Sequence, residues 1–139
     1  MKAAVSSRTV FLSRLLGLYC IVMALSMFLR GQLMVDTVTS MLGNAPLMLF
    51  FGVVIVVAGL AMVLTHNIWS GGTLTVLVTL IGWIALIKGV LFLIVPPGSS
   101  GAFFLNGFHY RQLSYLYAAI TLIVGLYLTY GGFRSGLRA

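Results

Sequence analysis

Two short strings in the middle of the chain hold the side chains best suited to chemistry. The first is His66-Asn67-Ile68-Trp69, and the second runs from Gly82-Trp83 to Lys88-Gly89. An amine and an imidazole can bind an anion or carry a proton, and a lysine inside an apolar stretch is by default a functional-site hypothesis. The candidate functional or ligand residues are therefore Lys88, His66, Asn67, Trp69 and Trp83.

Lys88 has two open interpretations. It lies about 21 Å along its apolar stretch from Leu74, at about 1.5 Å per helical residue, and so deep in a membrane span. Either it binds a ligand or ion there, or its stem carries the ammonium to the headgroups or to a structural ion pair. Asp36 is the single acidic residue, and we predict that it pairs with Lys88 or with Arg30.

His66 and Trp83 also have structural interpretations beside the functional ones. His66 either binds a proton or ligand, or it caps and packs the end of a helix. The indole N–H of Trp83 needs an acceptor, and we predict that Thr79, one turn earlier, or a neighbouring carbonyl supplies it.

The sequence offers few residues for catalysis or metal binding. The chain has one carboxylate, two histidines and a single cysteine, Cys20, so an internal disulfide and a clustered metal site are both excluded. The sequence contains no GxSxG, GxGxxG or HExxH motif. We therefore predict a protein that is not an enzyme and that has no cofactor and no metal.

The composition places these residues in a membrane. Of the 139 residues, 61% are hydrophobic and 6% are charged, and the net charge is +7. Soluble domains carry about a quarter charged residues, and a chain of this size could not bury so much apolar surface. An ordinary cytosolic globule, a disordered tail and a nucleic-acid binder are excluded, and the lipid bilayer is the first partner.

Four segments are apolar enough to cross the membrane as helices of about 20 residues. The predicted spans of this single transmembrane domain are about 10–29, 47–64, 74–95 and 115–130. Asn44 and Pro46 are typical of a helix start before the second span, and Gly131 and Gly132 are expected to end the fourth. We interpret the first segment as an uncleaved span, since no clear signal cleavage site follows it.

The basic residues predict the orientation. Five of them flank the two chain ends, namely Lys2, Arg8, Arg14, Arg134 and Arg138. Two others, Arg30 and Arg111, lie in the longer connections. By the positive-inside rule both termini are expected in the cytoplasm. The first long connection, Gln32 to Leu42, carries its apolar residues on one helical face, which predicts a short amphipathic helix.

Small residues recur every seven positions in all four predicted spans. They are Gly17 and Ala24, Gly52 and Gly59, Gly82 and Gly89, and Ala118 and Gly125. Such a repeat favours close left-handed helix packing. The predicted fold is an all-α, antiparallel four-transmembrane-helix bundle. The two halves share this spacing, either through duplication or through equal packing demands.

The strings His66-Asn67-Ile68-Trp69 and Gly82-Trp83, with Leu86-Ile87-Lys88-Gly89 after them, resemble the HNxW and GWxxLxKG motifs of a widespread family of small bacterial four-span integral membrane proteins. The likeness covers the second and third spans. It implies a bacterial inner-membrane protein and marks the motif residues. That family has no assigned activity, so the resemblance implies neither a substrate nor a reaction.

Two functions remain for such a chain. The first is a non-enzymatic accessory or structural subunit, or an assembly factor, of a membrane complex. The expected partners of the chain are other membrane subunits or, in the second function, copies of itself. The alternative is a small homo-oligomeric channel or transporter for an anion or a proton that uses Lys88 and His66. The direction in which Lys88 points distinguishes the two.

Overall fold

The computed structural model describes residues 6–97, 99 and 109–136, and this part of the chain contains no β-strand. Its five helices are α1 (Ser7–Arg30), α2 (Gln32–Gly43), α3 (Ala45–Thr65), α4 (Thr73–Ile94) and α5 (Tyr110–Gly136). Four of them, α1, α3, α4 and most of α5, are long and apolar enough to cross a membrane. This confirms the prediction of an all-helical chain with four helices long and apolar enough to span a membrane. Lys2 and Arg138 lie outside the described residues.

Local sequence explains where the helices begin and end. The Asn44 side chain accepts a hydrogen bond from the Leu47 backbone N–H at 3.1 Å, and Pro46 stands in the first turn of α3. This confirms the predicted helix start, because the side chain satisfies one of the free N–H groups there. Helix α4 ends at Ile94, two residues before Pro96, because a proline cannot continue a helix.

The fourth span is longer than predicted. Helix α5 does not end at Gly131 but continues through Gly132 to Gly136. A Cβ added at Gly131 would lie 2.8 Å from the Leu74 side chain, and one at Gly132 would lie 3.2 Å from the Arg14 backbone nitrogen. At both glycines a neighbouring helix approaches closely. Their role is in packing, and they do not end the helix.

The spanning helices pack mainly as two antiparallel pairs, α1 with α5 and α3 with α4. In the first pair Gly17 faces Gly125, whereas Arg14 faces Gly132, so residue numbers rise on one helix as they fall on the other. In the second pair a Cβ at Gly59 would lie only 2.6 Å from the Leu86 backbone nitrogen. Backbones can approach this closely only where side chains are missing.

The eight small residues of the seven-residue repeats all lie buried in the structure. At Gly52 and Gly89 an added Cβ would come within 2.7 Å of the facing helix, and at Gly82 within 3.0 Å. Ala24 and Ala118 have no exposed surface. The repeat therefore coincides with the surfaces on which the pairs close.

A small apolar cluster joins the two pairs, and a second one joins α2 to the α3–α4 pair. At the terminal end of the molecule, where α1 begins and α5 ends, one cluster joins α4 to α5 and comprises Leu74, Val78 and Leu128. At the opposite end, which we name the α2 end, another comprises Leu42, Met48 and Phe92. Elsewhere large apolar side chains such as Phe11, Val57 and Ile123 are more than half exposed. An apolar surface of this kind suits a lipid environment.

Candidate functional site

The first motif, His66 to Trp69, lies in the turn that follows α3. This turn is recessed, because it runs along the side of α4 and not beyond its end. The Met62 side chain of α3 packs over Gly82 of α4. From that level α3 continues for three residues to Thr65, whereas α4 extends back nine residues to Thr73. At about 1.5 Å per residue, α3 therefore stops about 9 Å short of the start of α4. The residues that follow α3 run beside the first two turns of α4.

Thr79 attaches this turn to α4. Its hydroxyl donates to the Ile68 carbonyl at 2.9 Å and accepts from the Ile68 N–H at 3.3 Å. The Thr79 side chain is almost fully buried, with 1% exposed. One side chain thus satisfies both backbone groups of Ile68. Non-helical backbone beside a membrane-spanning helix needs such partners.

Asn67 brings the two tryptophans together. Its Oδ1 accepts from Trp69 Nε1 at 2.8 Å and from Trp83 Nε1 at 3.3 Å. Of the two acceptors predicted for Trp83, Thr79 was wrong, since its hydroxyl serves the backbone of Ile68, and the acceptor is instead the side-chain carbonyl oxygen of Asn67. The recessed turn lifts the Asn67 amide to the level of the Trp83 ring, and that level depends on where α3 ends.

His66 sits at the end of α3 and is buried, with 1% of its surface exposed. Its backbone N–H caps the helix by donating to the Met62 carbonyl at 2.7 Å. Its Nε2 lies 3.4 Å from the Thr75 carbonyl oxygen, which fits a protonated Nε2 that donates to it. Its Nδ1 is buried and has no hydrogen-bond partner within the described residues. This arrangement gives the motif one acceptor that the fold leaves open.

Lys88 does not join the motif. It is exposed on the outside of the α3–α4 pair, with Nζ 5.5 Å from the centroid of the Phe92 ring. Thirteen residues of α4 separate it from Thr75, so it lies about 20 Å along the helix from the His66 ring. The structure brings His66, Asn67, Trp69 and Trp83 to one region and leaves Lys88 near the α2 end.

The predicted ion pair concerns the α2 end. Asp36 is exposed on α2, and Arg30 is the exposed last residue of α1. Pairing of Asp36 with Lys88 or with Arg30 stays a prediction.

Arg14 has a role that sequence reasoning missed. Its Nε donates to the Gly132 carbonyl at 3.2 Å, and its guanidinium lies 4.6 Å from the centroid of the Phe133 ring. Arg14 therefore joins α1 to α5. The seven-residue continuation from Gly125 to Gly132 was the one signal in the sequence that pointed to this contact.

The described residues contain no group of three or more His, Cys, Asp or Glu side chains that could hold a metal ion. Comparisons with protein-family models, with curated proteins and with solved structures found no match. The site must therefore be interpreted from its own geometry, which is a hydrogen-bonded polar turn held against one helix.

Proposed function

We propose that the chain is a non-enzymatic integral protein of the bacterial inner membrane that serves a larger membrane assembly as an accessory or structural subunit or as an assembly factor. In this proposal it belongs to the small four-span family that its motifs resemble. Both termini are cytoplasmic, the helices cross with a left-handed twist, and α2 is an amphipathic helix on the opposite side of the membrane.

The position of Lys88 carries this proposal. The side chain is exposed inside a candidate spanning helix, about 9 Å from the end of α4 at about 1.5 Å per residue. A charge on a lipid-facing surface is costly, and membrane proteins commonly reduce that cost by pairing it with another polar group. A carboxylate or carbonyl of a neighbouring subunit would do so, with Phe92 beside it as an apolar contact.

The geometry of the motif gives further support. The Asn67 side chain accepts from both indoles, and the Thr79 hydroxyl bonds to the backbone of Ile68. Residues that satisfy each other in this way stabilise a turn. This favours a structural role for the HNxW string over a role in catalysis.

A homo-oligomeric channel or transporter for an anion or a proton is the second candidate. It requires copies to associate through α4, because only such an arrangement would place the exposed Lys88 ammonium groups between subunits. His66 adds little to this candidate, since it is buried in the monomer and about 20 Å from Lys88 along α4.

Co-purification tests the first candidate against the second. The protein is expressed at its native level with a C-terminal tag, extracted in mild detergent, and analysed by mass spectrometry for proteins at a fixed ratio to it. We expect a stoichiometric membrane partner that Lys88→Leu releases. The control Ile123→Ala, at an exposed position of α5 in the other helix pair, should retain it.

A homo-oligomer without a partner would contradict the accessory role. In that case flux into liposomes should be compared for the native chain, Lys88→Ala and His66→Ala. Loss of flux in Lys88→Ala would support the second candidate.

A further inference from the structure

The early end of α3 leaves a groove beside the first two turns of α1. The groove has a volume of about 520 Å³ and is lined by Ser7, Arg8, Phe11, Leu12 and Thr65. Thr65 is the last residue of α3, and the other four residues belong to α1. The groove opens at the terminal end of the molecule, on the outer surface of the helices.

The groove is polar at one end and apolar at the other. Ser7 and Arg8 stand at the start of α1, and Phe11 and Leu12 follow one turn deeper, about 5 Å along the helix. Phe11 is 64% exposed. Arg8 is exposed and is the one charged residue among the five that line the groove. A ligand that fits this lining has a negative head and an apolar tail.

Arg8 differs from the other arginines at this end whose side chains the structure describes. Arg14 donates to the Gly132 carbonyl, and Arg134 donates to the Tyr130 hydroxyl at 3.2 Å. Arg8 has no hydrogen-bond or ion-pair partner among the described residues. Its guanidinium is therefore available to bind an anion, and the planar fork of an arginine matches a phosphate group well.

We propose that this groove binds one anionic phospholipid, with the phosphate on Arg8 and an acyl chain along Phe11 and Leu12. Basic pockets between membrane helices bind anionic headgroups in this manner. A free phosphate would use Arg8 but would leave the exposed Phe11 ring uncovered. The inference does not depend on the function proposed above.

Native mass spectrometry of the full chain, released from mild detergent with added lipid, tests the site. The probes are phosphatidylglycerol and phosphatidylcholine with the same acyl chains. We expect one tightly retained phosphatidylglycerol, and we expect Arg8→Gln to weaken its retention about fivefold, the effect of one interfacial arginine on an anionic lipid. Arg8→Lys should retain most of the binding. Arg134→Gln, which removes the same charge outside the groove, should leave retention unchanged.

Four results would overturn the proposal. Phosphatidylcholine could be retained as well as phosphatidylglycerol, Arg8→Gln could bind as the native chain does, or Arg134→Gln could lose the lipid equally. The fourth is competition by millimolar inorganic phosphate, which would indicate a free-anion site. A melting temperature of Arg8→Gln without lipid that equals the native value excludes misfolding as the cause. Phe11→Ala should also weaken retention, since the acyl chain loses its aromatic contact.

Discussion

Gly59→Ala tests the packing of the α3–α4 pair most directly. An added Cβ would lie 2.6 Å from the backbone nitrogen of Leu86 and 2.7 Å from its Cα. Carbon atoms in contact prefer separations of about 3.5–4.0 Å, so the helices must move apart by about 1 Å at this point. A backbone atom cannot rotate aside as the end of a side chain can. The displacement therefore extends to the contacts of neighbouring turns.

The expected loss combines two opposing effects. Overpacking of a close contact costs about 1–3 kcal/mol. Alanine also gains about 1 kcal/mol over glycine in a helix interior. Because the clash is with backbone, we expect the upper part of the packing cost and a net loss of about 1–2 kcal/mol in the free energy of unfolding.

The assay is reversible unfolding in mixed micelles of mild detergent and dodecyl sulfate, followed by helical circular dichroism. Gly43→Ala, at the end of α2, is the matched control, because nothing lies within 4 Å of its added Cβ. It should leave stability unchanged or slightly raised. Gly82→Ala meets the Cβ of Met62 at 3.0 Å, a less severe overlap than 2.6 Å, so its loss should be smaller than that of Gly59→Ala. If Gly59→Ala is as stable as Gly43→Ala, the inferred backbone contact is wrong.

Two further variants test the polar contacts. Thr79→Val leaves both backbone groups of Ile68 without their partner, and we expect it to lose about 1–3 kcal/mol in the same unfolding assay, whereas Thr79→Ser should stay close to the native value; equal effects of the two would contradict the assigned hydrogen bonds. Asp36→Asn should lower the melting temperature in detergent if Asp36 pairs with Lys88 or Arg30, and an unchanged melting temperature would rule that pairing out.

The helices were predictable because their causes are local. A run of apolar residues of the right length and an Asn44 cap act within a few residues, and the structure places helices at all four predicted spans. The end of α5 was not predictable in this way. Whether Gly132 ends a helix or lets Arg14 approach depends on a residue at the other end of the chain.

The candidate site was predictable in its residue types but not in its pairing. The sequence indicated that Trp83 needs an acceptor, and the structure supplies one from Asn67. That choice follows from the length of α3, which ends about two turns of α4 before a symmetric hairpin would. One further turn of helix in α3 would carry Asn67 away from Trp83. No pattern within the motif specifies that length.

The recessed turn also indicates the role of the motif residues. Non-helical backbone beside a spanning helix needs hydrogen-bond partners from the protein, and Thr79 supplies them to Ile68. Asn67 supplies the acceptor for the two indoles. Ser13 and Thr129, which also have buried hydroxyls without partners among the described residues, can turn toward a carbonyl of their own helix. The imidazole of His66 has no such freedom, because its Nε2 faces Thr75. Stabilisation of the turn therefore accounts for Asn67, Trp69 and Thr79, whereas His66 Nδ1 stands apart as an acceptor without a partner among the described residues.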